Sequence, residues 1–127
     1  MRTYANKAKR EYGELILPLC REVLLKHGRE WNSLVINIFL TAVEYIPDQK
    51  SIGPLLHYMD MTTDLPQHRF AGSKLGYLVS SLSIPDFTEQ LQSIKLKHNS
   101  ITEGIYEVPD VIRSEDKKEE VSKICSR

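Results

Sequence analysis

Apolar residues recur at spacings of three and four along the first hundred positions, which is the pattern of one buried face on an α-helix. This pattern predicts five helices, over residues 3–27, 31–46, 52–61, 66–82 and 86–97. The second helix has the clearest period, with apolar residues at Trp31, Leu34, Val35, Ile38, Phe39, Ala42, Val43 and Ile46. We predict that this stripe faces the centre of the core. Ile36 and Leu40 lie off the stripe, so the helix should be covered on more than one side.

Proline, glycine and small polar residues mark the ends of these segments. Pro47 ends the second helix, and Ser51 can cap the third. Short connections place successive helices side by side in opposite directions. We therefore predict an all-α fold, a compact bundle of about five helices stacked as antiparallel hairpins. Gly72 and Gly76 share one side of the fourth helix, and we expect another helix to pack closely against them.

The helical pattern ends near residue 99, so we predict a helical domain over residues 1–99 and a partly ordered or disordered tail over residues 100–127. Residues 113–120 form a run of mixed charge with nothing to bury. A short helix over residues 114–124 could form, although an isolated helix of that length is marginal in water. Removal of residues 113–127 is expected to change stability little.

Two interpretations of the region around Tyr106 and Pro109 remain open. A tyrosine followed three places later by proline, between acidic residues, resembles a phosphotyrosine ligand of the kind that some SH2 domains recognise. Alternatively, the apolar residues of this region fold back onto the bundle as a strap, which we favour; they are Ile105, Tyr106, Val108, Val111 and Ile112.

Residues 51–82 carry a recognisable order of motifs. A proline followed by leucines at 54–56 precedes Asp64 and Arg69 in a turn, and Ala71 and a Leu-Gly-Tyr-Leu sequence at 75–78 follow in the second helix. This order resembles a HEAT repeat. The resemblance covers about a quarter of the chain and does not extend to the first helix pair, so a compact bundle with one HEAT-like hairpin and a short repeat array both remain open.

Composition narrows the class of protein further. Seventeen basic residues balance seventeen acidic ones, so no overall field attracts nucleic acid or an anionic membrane. No stretch approaches the roughly 18 apolar residues of a membrane span. Two cysteines at opposite ends of the chain, Cys20 and Cys125, suggest no disulfide framework. We therefore expect a soluble intracellular protein, cytoplasmic or nuclear, without a membrane partner.

The sequence offers no constellation of residues for catalysis or for a cofactor. No histidine has a second histidine or a cysteine within five residues, so no metal site is expected. The six glycines form no phosphate-binding motif. Cys20 and His27 are about 10 Å apart along a helix, at 1.5 Å per residue, too far for a hydrogen bond. We predict that the protein is not an enzyme and has no cofactor.

By elimination, the sequence favours a non-catalytic interaction module, an adaptor or a small subunit, with a protein partner or a second copy of itself. The HEAT resemblance implies that the second helix of the pair lines a concave surface, which makes Arg69, Lys74 and Tyr77 the expected partner contacts. The alternative is a nucleic-acid-binding accessory protein. It would use the N-terminal basic residues Lys7, Lys9 and Arg10 for phosphate groups or an acidic partner.

Overall fold

A computed structural model describes residues 2–62, 64–82, 84–97 and 104–125 of the chain. The described residues form six α-helices and no strand: α1 Arg2–Glu22, α2 Ser33–Tyr45, α3 Ile52–Met61, α4 Leu65–Ser81, α5 Ile84–Lys97 and α6 Glu115–Cys125. A π-helical turn, Val23–His27, continues α1, and short 3-10 turns span Gln49–Ser51, Gly104–Glu107 and Pro109–Val111. The prediction of an all-α fold is therefore confirmed.

Local side-chain caps explain where α2 and α4 begin. The Asn32 side chain accepts a hydrogen bond of 2.8 Å from the backbone N–H of Leu34. Asp64 accepts a bond of 3.4 Å from the backbone N–H of Gln67. Each bond satisfies a backbone donor that has no partner within the helix, and this is why short polar residues favour helix starts.

The helices lie in two rows. The first row consists of α1, α3 and α5, because α3 contacts both α1 and α5. In the second row α4 packs against α2 on one side and against residues 104–111 on the other. α1 packs against α2, and α3 packs against α4, so the chain alternates between the rows. The core lies between the rows, and its largest fully buried side chains include Tyr58, Phe87, Leu24, Ile36, Leu40, Leu75 and Leu78.

Residues 104–112, which we call the strap, complete the second row. Ile105, Val108 and Ile112 are at most 3% exposed and belong to the same core as the helices. A Cβ atom added to Gly76 would overlap the Val108 carbonyl oxygen and the Val111 side chain. The prediction of close packing at Gly76 is therefore confirmed. The element that packs there is the strap, however, and not another helix.

α6 also packs onto the bundle, contrary to the interpretation of residues 113–127 as a polar tail with little to bury. Lys117, Val121 and Cys125 are four residues apart and share one face. Val121 and Cys125 are 0% and 3% exposed, and the Lys117 ammonium donates to the carbonyl oxygens of Ser80 and Leu82 at 2.8 and 2.7 Å. Tertiary contacts thus stabilise a helix that would be marginal alone. The predicted domain boundary at residue 99 lies outside the described residues and stays a prediction.

The predicted core face of α2 is wrong in part, although Val43 and Ile46 of the predicted stripe are buried. Ile36, Leu40 and Val43 are 0% exposed, whereas Leu34 and Ile38 are 74% and 67% exposed. Both sets have helical spacing, because α2 is apolar on nearly every side, and the period alone does not select between them. The neighbours of α2 decide the orientation, since Ile36 and Leu40 meet the core between the rows. The two residues that the sequence placed off the stripe are fully buried, together with Val43 of the stripe itself.

Candidate interaction surface

α1 and α2 expose an unusual number of large apolar side chains. On α1, residues at spacings of three and four point away from the core; on α2, the same holds for the side opposite Ile36 and Leu40. Their exposed fractions are Tyr12 56%, Leu15 81%, Leu19 45%, Leu34 74%, Val35 41%, Ile38 67% and Tyr45 65%. We call these seven side chains the α1–α2 apolar face.

The register of the two helices brings their exposed stripes to the same level. A Cβ atom built on Gly13 would lie only 2.8 Å from Cγ2 of Ile46, which fixes the level at which the antiparallel helices meet. At 1.5 Å rise per residue, Tyr12 then lies level with the end of α2, and Leu19 lies level with Leu40, two residues from Ile38. Three further apolar side chains of the two helices are partly buried and pack against the core; they are Ile16, Phe39 and Ala42.

The centre of the face carries no charge. The one charged residue of α2 is Glu44, which turns toward α4 and pairs with Lys74 at 3.3 Å. Glu11 and Glu22 are exposed beside the α1 stripe and belong to its rim. Thr41 is the polar neighbour on α2, where its hydroxyl donates to the Asn37 carbonyl at 2.8 Å. An uncharged centre with a polar rim is the usual anatomy of a protein–protein interface.

The three partner contacts suggested by the HEAT resemblance lie on α4, and two of them, Lys74 and Tyr77, lie beside α2. Lys74 and Tyr77 are brought together, with the Lys74 ammonium 5.9 Å from the Tyr77 ring centroid and 5.1 Å from that of Phe70. The Lys74 side chain is only 16% exposed, because it spans the α2–α4 seam to reach Glu44. Tyr77 is 45% exposed, and Arg69 is exposed about two turns earlier on the same helix. Lys74 thus joins two helices and presents little surface of its own.

The structure places Arg10 in a cleft of about 410 Å³ that is also lined by Glu14, Arg21, Asp48 and Lys50. Arg21 is held there by Asp48 at 2.9 Å and donates to the Ser51 hydroxyl at 3.3 Å. Three cations and two carboxylates leave the cleft one positive charge. Lys7 and Lys9, the other predicted phosphate contacts, lie in α1, but their side chains are outside the described part of the chain.

The Tyr106–Pro109 region forms part of the strap. Val108 is fully buried and Pro109 is buried beside it, whereas the Tyr106 side chain lies outside the described part of the chain. A receptor that reads Pro109 would have to displace the strap from α4. The burial of Ile105, Val108 and Ile112 agrees with the interpretation of this region as a strap.

The thiols are placed in the core. Cys20 is 0% exposed, and burial raises the pKa of its thiol, which disfavours the reactive thiolate. The His27 side chain contacts other residues. Its Nδ1 lies 3.0 Å from Oε2 of Glu30, and its ring stacks on that of Trp31. Among the residues that the structure describes, no three His, Cys, Asp or Glu side chains are grouped to hold a metal ion. None of the described helices is long and apolar enough to span a membrane.

The sequence pattern assigned three α2 members of the α1–α2 apolar face to the core, namely Leu34, Val35 and Ile38. A usable signal was the number of apolar residues in α2, which exceeds what one buried stripe needs. Comparison with known protein families, curated proteins and solved structures finds no match for this chain. The described residues thus define an all-α protein of paired helices, with a large exposed apolar face on α1 and α2.

Proposed function

We propose that this protein is a non-catalytic interaction module, an adaptor or a small subunit of a larger assembly, that binds a protein partner through the α1–α2 apolar face. The observation that carries the proposal is the exposure of Leu15, Leu34 and Ile38, each at least 67%, on two helices that pack against each other. Leucine and isoleucine are among the residues most often buried in proteins. Burial of one such side chain stabilises a protein by about 1.5–3 kcal/mol.

The size of the surface supports a specific interface. At roughly 200 Å² for a fully exposed large side chain, the seven exposed fractions amount to on the order of 800 Å². Apolar patches on monomeric proteins are usually a few hundred Å², and patches at the upper end are often functional. One side of a standard protein–protein interface is about 800 Å².

The α4 surface would extend this contact. Tyr77 lines a surface cleft together with Glu44 and Tyr45 and so adjoins the α2 side of the face, and aromatic side chains are enriched among residues that dominate binding. Arg69 is seven residues before Gly76 and so lies on the α4 side that faces the strap. Lys74 acts through its bond to Glu44, which fixes α2 beside α4. We place the protein in an intracellular compartment, cytoplasmic or nuclear, because the free thiols Cys20 and Cys125 suit reducing conditions.

An Ile38→Glu variant is expected to lose its protein partner while it keeps its fold. The change puts a charge at the centre of the face, where a bound partner would have to desolvate it. Capture from a lysate of the source cells with the wild-type chain and the variant, followed by mass spectrometry, measures the loss. Leu65→Glu is the matched control, because Leu65 is 44% exposed at the start of α4 and is not one of the seven side chains of the face. Partners retained equally by both variants would contradict the proposal.

A second candidate function is nucleic-acid binding, and the cleft that contains Arg10, Arg21 and Lys50 favours it. Phosphate binding by cationic side chains releases counterions and therefore weakens steeply as salt rises. Neutralisation of Arg21 by Asp48 leaves Arg10 and Lys50 as the cations available for such a contact.

An Arg10→Ala, Lys50→Ala double variant is expected to bind single-stranded RNA at least tenfold more weakly at about 50 mM salt, if the cleft binds phosphates. Fluorescence anisotropy with a labelled oligonucleotide measures this change. Lys26→Ala serves as the control, because Lys26 pairs with Glu22 at 3.3 Å outside the cleft. Absence of binding by the wild-type chain at this salt concentration would exclude the second function.

A further inference from the structure

We infer that the α1–α2 apolar face is covered by the same face of a second copy of this chain, in a two-fold symmetric dimer. This inference rests on the proposed function, because it assigns a partner to the surface proposed there. Area, charge and the architecture of the helix pairs each support it.

The area of the face matches a stable dimer. Burial of about 800 Å² on each copy gives a total near 1,600 Å², which is the size of a standard specific interface. Exposed apolar area is concentrated on this hairpin: α1 and α2 contribute seven of the large apolar side chains that are at least 41% exposed. Two copies that meet here would cover the largest apolar surface of the described chain at once.

The charge distribution suits self-association. In a two-fold contact, each copy presents the same patch, so a charge near the axis would face a like charge of the other copy. The centre of the face carries no charge, because the single charge of α2, Glu44, points toward Lys74. The chain has a formal net charge of zero, so two copies do not repel one another at long range. A strongly acidic or basic partner would find no complement at the centre of the face.

The architecture points the same way. Proteins built from stacked helix pairs need a polar outer face on the terminal pair, since each pair buries its faces against the next. Here the outer face of the first pair is apolar at Leu15, Leu19, Leu34 and Ile38. A second antiparallel hairpin placed on it gives a four-helix arrangement, for which side-chain packing at interaxial distances of about 8–10 Å is well established. The hairpin of another copy supplies that surface.

Sedimentation equilibrium on the full chain tests the inference. We expect a species of twice the chain mass of 14.6 kDa at micromolar concentration. Leu15→Glu and Ile38→Glu should each weaken dimerisation at least about 100-fold, because each puts an unpaired charge into the apolar interface. Leu65→Glu, outside the face, should remain dimeric. As a second measurement, the melting temperature of the wild-type chain should rise with protein concentration, and those of the two face variants should not.

The outcomes separate this inference from the proposed function. A wild-type chain that stays monomeric up to about 100 µM overturns the dimer, whatever else it binds. If that monomer still captures a protein that Ile38→Glu fails to capture, the interaction function stands and only the identity of the partner is wrong. If it captures nothing, both proposals fail. A dimer that survives both face variants, with circular dichroism showing native helix content, also overturns the inference.

Discussion

A chain that ends at residue 103 is expected to lose cooperative unfolding at room temperature. The deletion removes Ile105, Val108, Ile112, Val121 and Cys125, all at most 3% exposed. At about 1.5–3 kcal/mol for each large buried side chain, the loss approaches roughly 7–15 kcal/mol. The whole stability of a domain is about 5–15 kcal/mol. The deletion also exposes the α4 surface that the strap covers. The loss of stability therefore exceeds the contribution of the deleted side chains alone.

Thermal unfolding followed by circular dichroism and by hydrogen exchange measures this loss. The shorter deletion of residues 113–127 is the graded comparison, because it keeps the strap but removes α6. It should cost roughly 3–6 kcal/mol for Val121 and Cys125, together with the two bonds that Lys117 donates to Ser80 and Leu82. Here the structure revises the expectation from sequence, which was little change. A 103-residue chain that unfolds cooperatively near the wild-type midpoint would show that the strap is not part of the core.

Gly76→Ala is expected to destabilise the protein, although alanine is the better helix former. Helix propensity alone would add about 1 kcal/mol of stability at a helix interior. The new Cβ, however, would overlap the Val108 carbonyl oxygen and the Val111 side chain, and a backbone atom cannot rotate away. The strap must therefore shift off α4. Overpacking of a core typically costs about 1–3 kcal/mol, and we expect a net loss of that size.

Gly53→Ala is the matched control for this substitution, because Gly53 also lies inside a helix, near the start of α3. A Cβ there meets only the end of the flexible Gln90 side chain, whose Oε1 lies at 2.8 Å. The control should be neutral or slightly stabilising in urea unfolding at matched protein concentration. Similar effects of the two substitutions would mean that the approach of the strap to Gly76 is not what requires glycine.

The positions of the first five helices could be predicted because the sequence signals for helices act over short distances along the chain. Apolar periodicity, prolines and short polar caps act within one or two turns, and the relevant partners are near in sequence. Asn32 and Asp64, for example, cap helices whose first residues follow them directly. The predicted third helix, residues 52–61, therefore agrees with α3, and the predicted fourth differs from α4 by one residue at each end.

The orientation of α2 could not be predicted in this way. Its apolar residues form two sets at helical spacing, one around Ile38 and one around Ile36 and Leu40. Burial of either set would satisfy the same periodicity. The surrounding helices select the second set, and the candidate interaction surface exists only because of that selection. The sequence pattern thus identified Leu34 and Ile38 as members of an apolar stripe but wrongly placed them in the core.

The sequence by itself determined the fold class, the approximate positions of the first five helices and the formal net charge of zero, because these depend on composition and on neighbours in the chain. Only the tertiary structure decided which face of α2 is buried, that the strap lies against Gly76, and that α6 docks through Lys117. Each of these depends on contacts between residues more than thirty positions apart, such as Lys117 with Ser80. The free energy of such contacts comes from packing and satisfied polar groups in the assembled core, which no local pattern contains.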